Sequence, residues 1–322
     1  MNGWTLGHRR GLDGLRGVAI ALVLLLHWWP SAFPGGDTGV DLFFVLSGFL
    51  ITRLLIEERR RTGRVSLRGF YTRRARRLFP ALAVVVTACA GSPGVWWVVG
   101  YAANWGRING AIVGGPLEHT WSLAIEEQFY LVWPLMFLAL AKLRRPALLV
   151  GLAVAALALH RAGMDADWLR LTAGTDSRAD GLLVGCVGAF VVNHAPRVGR
   201  IAPLVVVPLG WVVLTAPDLT RFGFTFVAGG WLVVLAWVLD RDSVAPLRWL
   251  GERSYSLYLW HYPITWALRD GDMHSGGVVA TGLAIAGSFA AATASYELVE
   301  KRFRRSGHRR VSEPQRAYLV VK

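Results

Sequence analysis

The chain has 322 residues, of which 54% are hydrophobic and 17% charged, and it carries a net charge of +14. This composition is typical of an integral membrane protein and excludes an ordinary soluble domain. Arginine supplies 32 of the 35 basic residues and stands mainly in loops beside apolar segments, which indicates membrane anchoring and not nucleic-acid binding. The two cysteines, Cys89 and Cys186, lie in apolar segments and indicate neither a disulfide framework nor a metal site.

Ten apolar segments follow one another and predict an all-α, polytopic integral membrane protein of about ten transmembrane helices. Several are shorter than the roughly 20 residues that a membrane crossing needs, so their boundaries are approximate. The first has the pattern of a signal peptide, but further spans follow it, and we interpret it as an uncleaved helix. The predicted spans are residues 17–29, 39–57, 78–98, 120–141, 147–163, 179–193, 201–216, 222–239, 252–268 and 276–298.

The basic residues are distributed unevenly between the two sides of these spans. If the N-terminus is cytoplasmic, 29 of the 35 basic residues lie in cytoplasmic segments. This asymmetry predicts an even number of spans with both termini in the cytoplasm. We therefore interpret residues 1–305 as one multi-pass domain of the cell membrane, and residues 306–322 as a basic cytoplasmic tail that contacts lipid headgroups.

The first span joins an arginine at the membrane surface to a histidine within the bilayer. It reads LDGLRGVAIALVLLLH from Leu12 to His27. The eleven residues from Arg16 to His27 turn a helix through about 1100°, so both side chains share one face, about 16 Å apart along the axis. Ionisable groups inside a membrane are costly, which favours a functional polar path. A structural histidine beside an anchoring arginine is an equally good interpretation of the pair alone.

Small and acidic residues mark the second span. Asp41 at its outer edge is either a solvated carboxylate, which we favour, or a group that orients the imidazole of His27. Ser47 and Gly48 are small, and such pairs allow helices to approach closely in lipid. We therefore interpret Ser47 and Gly48 as packing residues.

The densest charge in the chain enters the third span from the cytoplasm, as RRARRLFP from Arg73 to Pro80. Ordinary membrane anchoring explains most basic runs of this kind. Arg74 and Arg77, however, are spaced i,i+3 on one helix face and can bind phosphate oxygens bidentately. A coenzyme A donor would bring such phosphates to this side of the membrane.

Two adjacent carboxylates open the fourth span. Glu126 and Tyr130 share a helix face at i,i+4, whereas Glu127 points elsewhere. Buried acids need partners, so packing does not explain them. We expect one acid to serve a polar cavity and the other to lie at a helix interface.

Charged pairs and aromatic residues occur in the later spans. Arg178 and Asp180, two residues apart, point in different directions and are expected to pair with other helices, with substrate contact as the alternative. Tyr255 and His261 belong to a stripe of side chains spaced at i, i+3 and i+6 in span nine, where His261 needs a polar neighbour.

The last span ends in the sequence SYELVEKR, at the predicted cytoplasmic face. Glu297 or Glu300 is expected there to neutralise part of the arginine cluster of span three.

Together these segments resemble the membrane-bound acyltransferase 3 family, because separated motifs occur in the right order over nearly the whole chain. The motifs are LDGLRG from Leu12 with His27, DLFFVLSGF from Asp41, Arg74 with Arg77 before Pro80, Trp121-Ser122-Leu123 with Glu126, Arg178 with Asp180, Tyr255 to His261, and Tyr296 to Glu300. The resemblance implies transfer of an acyl group, commonly acetyl, from cytoplasmic acyl-coenzyme A to a hydroxyl of a carbohydrate, a cell-surface glycan or a glycosylated natural product.

When the functional residues of the family are matched to this sequence by position, the resemblance implies roles for five residues. His27 would be the catalytic base or a transient acyl carrier, with Arg16 as a partner on its face. Arg74 and Arg77 would contact the donor, and Glu126 would belong to the polar core. Acyl-coenzyme A is then the donor substrate, and no metal is implied.

Three features depart from the family pattern. The segment between Pro80 and His119 is short, so the third span and its loop are expected to be trimmed or re-entrant. Arg302 replaces the usual proline after the last glutamate, Glu300. No extracytoplasmic hydrolase-like domain follows, so any second chemistry is expected to need a separate protein.

A transporter of an acylated or anionic compound is the alternative function. Ten spans with polar groups near the middle of the membrane fit it on physical grounds. It would favour an inverted repeat between the two halves of the chain, which the sequence does not display.

Overall fold

The computed structural model describes residues 5–215, 219, 221–271, 273 and 276–303. Fifteen α-helices and no β-strand occur in these residues, which confirms the predicted all-α class. The predicted tail, residues 306–322, lies outside the described residues. The helices are α1 (Arg10–Trp28), α2 (Thr38–Thr62), α3 (Leu67–Ala88), α4 (Val95–Val99), α5 (Ala103–Ile108), α6 (Trp121–Leu140), α7 (Pro146–Gly163), α8 (Trp168–Ala173), α9 (Thr175–Phe190), α10 (Ala195–Val198), α11 (Ala202–Thr215), α12 (Gly223–Val238), α13 (Ala245–Glu252), α14 (Ser254–Leu268) and α15 (Val278–Ser295).

Each of the ten predicted spans overlaps one long helix, namely α1, α2, α3, α6, α7, α9, α11, α12, α14 and α15. Within the described ranges, six helical segments are long and apolar enough to cross a membrane, which confirms a polytopic membrane protein. They are Arg10–Trp28, Thr38–Thr62, Glu118–Leu140, Pro146–Gly163, Val192–Thr215 and Val278–Phe303. Ten crossings and two cytoplasmic termini stay predictions.

Local sequence signals account for several helix starts. The Ser66 hydroxyl accepts a hydrogen bond from the Gly69 amide at 3.1 Å and caps α3. The Asp167 carboxylate accepts one from the Arg170 amide at 2.7 Å and caps α8. Pro146 stands in the first turn of α7, where its missing N–H costs nothing.

The segment between Pro80 and His119 contains the end of α3 and two short helices. After α3 ends at Ala88, α4 has five residues and α5 has six. Neither reaches the roughly 20 residues of a membrane crossing. This part of the chain therefore packs beside the long helices as a compact connection, as its short length predicts.

Helices α2 and α9 approach so closely that their glycines leave no room for a side chain. A Cβ added at Gly48 would overlap the carbonyl oxygen of Leu182, and a Cβ added at Gly185 would overlap that of Val45. The packing role predicted for Gly48 is confirmed. Ser47 instead donates a hydrogen bond to Glu126, so its packing interpretation is incomplete.

Gly48→Ala is expected to destabilise the protein by about 1–3 kcal/mol, because the rigid backbone of α9 must move away. Thermal unfolding in detergent measures the change. Gly229→Ala in α12 is the matched control, since its added Cβ meets nothing within 4 Å. Equal stability of the two variants would contradict the close contact.

Candidate active site

The imidazole of His27 contacts a second imidazole from the far end of the chain. His27 lies in the last turn of α1, and its Nδ1 is 3.2 Å from Nε2 of His261 in α14. The same Nδ1 is 2.9 Å from the carbonyl oxygen of Val23. His261 is thus the polar partner of His27, and the predicted need of His261 for a polar neighbour is met.

The carbonyl contacts assign the tautomers of both rings. His261 Nδ1 lies 3.0 Å from the carbonyl oxygen of Leu257 and 2.7 Å from that of Tyr258. A carbonyl oxygen only accepts, so the neutral His261 carries its proton on Nδ1 and accepts at Nε2. His27 therefore donates its Nδ1–H to His261 and to Val23. The lone pair of neutral His27 then resides on Nε2, which suits a general base.

His119, from the turn that precedes α6, completes a cluster of three histidines. Its ring is stacked on Tyr262 at a centroid distance of 4.9 Å and lies 5.3 Å from the ring of His261. The residue is 3% exposed. Among the described residues, neither of its ring nitrogens has a hydrogen-bond partner. A buried polar group without a partner is costly, so the ring nitrogens of His119 are candidate contacts for a polar group in the site.

A cavity of about 250 Å³ opens beside this cluster, and its wall includes His27, His119, Tyr258 and Tyr262. The wall also contains the residues Asp37, Arg107, Glu118, Trp121, Trp168, Thr172, Arg178 and Phe224. Most of these stand at helix ends that the distribution of basic residues predicts to be outside the cell. The cavity therefore lies on the predicted outer side and exposes His27 to it.

Asp37 is an acidic group in this wall, immediately before α2. Burial raises the pKa of the Asp37 carboxyl above its ordinary value of 3.8, and the positive charge of Arg178 opposes part of that rise. Arg178 itself lines the cavity, with its guanidinium 3.6 Å from the ring centroid of Phe224. The wall thus offers both charged and aromatic contacts.

Two buried ion pairs brace the helices around the cavity. Arg178 bonds to Asp41 at 2.7 Å, and Arg161 bonds to Asp180 at 2.9 Å. The prediction that Arg178 and Asp180 pair with other helices is confirmed. The interpretation of Asp41 as a solvated carboxylate is wrong, because α9 covers Asp41 and leaves it 2% exposed. The position of the His27 ring depends instead on His261 and the Val23 carbonyl.

A second polar group lies deeper, between α2, α3 and α6. Glu126 accepts hydrogen bonds from Ser47 at 3.0 Å and from Tyr130 at 3.1 Å. The i,i+4 pairing of Glu126 with Tyr130 is thereby confirmed. The guanidinium of Arg74 stands 3.4 Å from the Tyr130 ring centroid and interacts electrostatically with both Glu126 and Glu127.

Arg77 also faces this group, because its charge acts on Glu127. The two arginines predicted to form a fork thus both act on the carboxylate of Glu127 on α6, and Arg74 also acts on Glu126. One carboxylate oxygen of Glu127 is buried and, within the described residues, has no hydrogen-bond partner.

The remaining predicted residues join helices to one another. Arg16 donates to the Ser254 hydroxyl at 3.0 Å, and Tyr255 donates to the Leu78 carbonyl at 2.9 Å. Arg16 thus connects α1 to the start of α14, and Tyr255 connects α14 to α3. Among the described residues, neither lines the cavity.

Glutamates at the end of the last helix bond to groups outside the arginine cluster of α3. Glu297 pairs with Arg253 at 3.3 Å and with Lys301 at 2.5 Å. Ser256 donates a hydrogen bond to Glu300. Because α3 packs against the segment Tyr296–Glu300, the neutralisation of part of the α3 arginine cluster by Glu297 or Glu300 stays a prediction.

Comparison with known proteins identifies the fold that carries this site. Residues 9–164 match the family model described as an acyltransferase domain, Acyl_transf_3. Residues 9–164 belong to the acyltransferase 3 family. No solved structure matches the chain.

Curated relatives of the chain are O-acetyltransferases by name. Peptidoglycan O-acetyltransferase OatA of Listeria monocytogenes is 33% identical over 92% of the chain and 56% of the relative. O-acetyltransferase OatA of Staphylococcus aureus is 33% identical over 79% and 50%. Putative peptidoglycan O-acetyltransferase YrhL of Bacillus subtilis is 33% identical over 79% and 48%. The chain spans about half the length of these relatives.

The structure brings together some predicted residues and adds others. His27 and His261 meet at the cavity, and Arg178 lines it. Glu126, Arg74 and Arg77 form the deeper group. Sequence reasoning missed the roles of His119 and Arg161. His119 lies two residues before Trp121, the first residue of α6, and Arg161 lies at the outer end of the predicted span 147–163.

Proposed function

We propose that this protein is a membrane O-acyltransferase that moves an acyl group, acetyl in the simplest case, from cytoplasmic acyl-coenzyme A to a hydroxyl of a carbohydrate. The observation that carries the proposal is the position of His27, whose ring borders the outer cavity while His261 orients it. The acyltransferase 3 match of residues 9–164 and the names of the relatives support acetyl as the transferred group and a cell-wall glycan such as peptidoglycan as the acceptor.

The chemistry of the acceptor step follows from the tautomer of His27. Its Nε2 takes the proton of the acceptor hydroxyl while the hydroxyl oxygen attacks the thioester carbonyl. The C–S bond then breaks, an ester forms, and the coenzyme A thiolate takes up the proton from the imidazolium. During the step, His27 Nδ1–H remains donated to His261 and Val23, which keeps the ring in place.

A relay through the same nitrogen is the second route. The Nε2 lone pair attacks the thioester carbonyl and the C–S bond breaks, which gives an acyl-imidazolium and the coenzyme A thiolate. The acceptor hydroxyl then attacks the acyl carbon, the N–C bond breaks to restore neutral His27, and the hydroxyl proton is released to balance the thiolate. This route suits an acceptor that stays outside the cell. Label retained on the protein in the absence of acceptor distinguishes the relay from direct transfer.

The donor would approach from the opposite side. Arg74 and Arg77 belong to the basic run at the predicted cytoplasmic entrance of α3, and guanidinium groups bind phosphate oxygens bidentately. The pair Glu126 and Glu127 holds the guanidinium of Arg74 in position. We propose that these arginines bind the phosphates of coenzyme A and aim its thioester toward His27.

Replacing both Arg74 and Arg77 by alanine is expected to raise the dissociation constant for acetyl-coenzyme A about tenfold or more. Isothermal titration in nanodiscs measures it. Arg76→Ala, an exposed arginine of the same helix, is the matched control. Because Arg74 also supports Tyr130, Arg77→Ala alone is measured as a milder variant. If a folded double variant binds acetyl-coenzyme A with unchanged affinity, both residues serve only as membrane anchors.

The whole proposal is tested with purified protein in nanodiscs, radiolabelled acetyl-coenzyme A and a soluble glycan. We expect release of coenzyme A and transfer of label to the glycan or to the protein. Absence of donor binding and of turnover would overturn the proposal. Solute flux across liposomes would then test the transporter alternative.

A further inference from the structure

The outer rim of the cavity holds an arginine between two tryptophans. The guanidinium of Arg107 in α5 is 5.5 Å from the ring centroid of Trp121 and 5.9 Å from that of Trp168. All three residues line the cavity that contains His27. They come from three separate helices, α5, α6 and α8. The cluster therefore exists only in the folded protein.

Glu118 fixes the direction of this arginine. Its Oε1 accepts a hydrogen bond from Arg107 Nε at 3.0 Å, and its Oε2 accepts one from the Gly114 amide at 2.7 Å. The side chains of Arg107 and Glu118 are 15% and 16% exposed. Within the described ranges, no hydrogen bond occupies the two terminal amino groups of Arg107. These amino groups remain donors for a ligand in the cavity.

The indole of Trp168 forms the solvent-exposed side of the cluster. The residue is 59% exposed although it lines the cavity wall. A sugar ring has an apolar face of C–H groups and a rim of hydroxyls. The flat indole suits the apolar face, and a fixed guanidinium with a carboxylate beside it suits the hydroxyls.

The inner end of the same cavity contains a second unsatisfied polar group. His119 is 3% exposed, and its ring nitrogens are without hydrogen-bond partners among the described residues. It lies in the same wall as His27. A sugar hydroxyl that reached this depth would satisfy His119 and would stand beside the proposed base.

We propose that Trp168, Trp121 and Arg107 form a saccharide-binding subsite, which holds the ring of the acceptor while one of its hydroxyls reaches His119 and His27. This inference rests on the proposed acyl transfer and adds the place where the acceptor binds. The subsite selects carbohydrates over other hydroxyl compounds.

The experiment compares the wild-type protein with Trp168→Ala and Trp168→Phe in nanodiscs, with acetyl-coenzyme A and a soluble β-1,4-linked tetrasaccharide of N-acetylglucosamine. Trp168→Ala is expected to raise the KM for the tetrasaccharide about tenfold. The KM for acetyl-coenzyme A is expected to stay unchanged. Trp168→Phe, which keeps a flat ring, is expected to recover most of the loss.

Trp211→Ala is the matched control, since Trp211 is 57% exposed on α11 and is not part of the cavity wall. An unchanged tetrasaccharide KM in Trp168→Ala, while the wild type transfers acetyl groups, overturns the subsite and leaves the proposed function intact. If the wild type releases no coenzyme A, the proposed function fails. Saturation-transfer NMR with the tetrasaccharide then tests the subsite separately. A signal that Trp168→Ala abolishes supports the subsite, and a signal equal to that of the wild type overturns it.

Discussion

Replacing His27 by alanine is expected to lower the rate of acyl transfer by about 10²- to 10⁴-fold, because the transfer step loses its general base. If His27 is an acyl carrier, the loss is larger still, since no covalent intermediate can form. Folding is expected to survive, because the ring borders a cavity and the main-chain hydrogen bonds of α1 remain. Coenzyme A release with radiolabelled donor measures the rate, and thermal unfolding in detergent measures the stability.

His160→Ala is the matched control for this experiment. His160 lies on α7 with 52% of its side chain exposed and contacts Asp176, away from the cavity wall. We expect it to retain the wild-type rate. If a folded His27→Ala protein also keeps the wild-type rate of acyl transfer, His27 takes no part in the reaction. Donor affinity is expected to be the same in both variants, which separates the chemical step from binding.

Asp180→Ala is expected to destabilise the protein by about 3–5 kcal/mol, because it leaves Arg161 as an uncompensated buried charge. The side chains of Arg161 and Asp180 are 0% and 2% exposed. Thr225 also donates a hydrogen bond to Asp180, so its hydroxyl loses a partner as well. In a Cys89→Ser background, which removes the partly exposed thiol, a thiol-reactive fluorescent dye measures unfolding in detergent, since Cys186 is fully buried and reacts only when the chain opens.

An exposed ion pair is the control for Asp180. Asp240 bonds to Arg9 at 2.6 Å, but 60% of its side chain is exposed, and Asp240→Ala is expected to cost about 1 kcal/mol or less. A double variant with Asp180→Leu and Arg161→Met removes both buried charges and is expected to regain part of the lost stability. If Asp180→Ala were as stable as Asp240→Ala, the buried pair would not hold α7 to α9.

The local features of the protein could be predicted from its sequence. Each predicted span overlaps a long helix, because a long apolar run in lipid must satisfy its backbone groups internally. The predicted end of the third span at residue 98 is wrong, since α3 ends at Ala88. The pairing of Glu126 with Tyr130 follows from helical geometry alone, since residues four apart share a face. The family motifs also lie within single segments, so the resemblance needed no tertiary information.

The partners of the polar groups could not be predicted in this way. His27 meets His261 from the other end of the chain, Asp41 meets Arg178, and Asp180 meets Arg161. Asp41 looked solvated because its position in α2 says nothing about which helix covers it. Hydropathy sets which segments are helices, but it does not set their rotation or relative height.

By itself the sequence determined an all-α membrane protein, its helices and its resemblance to one family, because these depend on short-range pattern. Only the tertiary structure decided which side chains form the site. Close contacts such as that of Gly48 with Leu182 set the distance and rotation between neighbouring helices. That packing turns His27 toward His261 and the cavity, and it gathers Arg107, Trp121 and Trp168 at the outer rim.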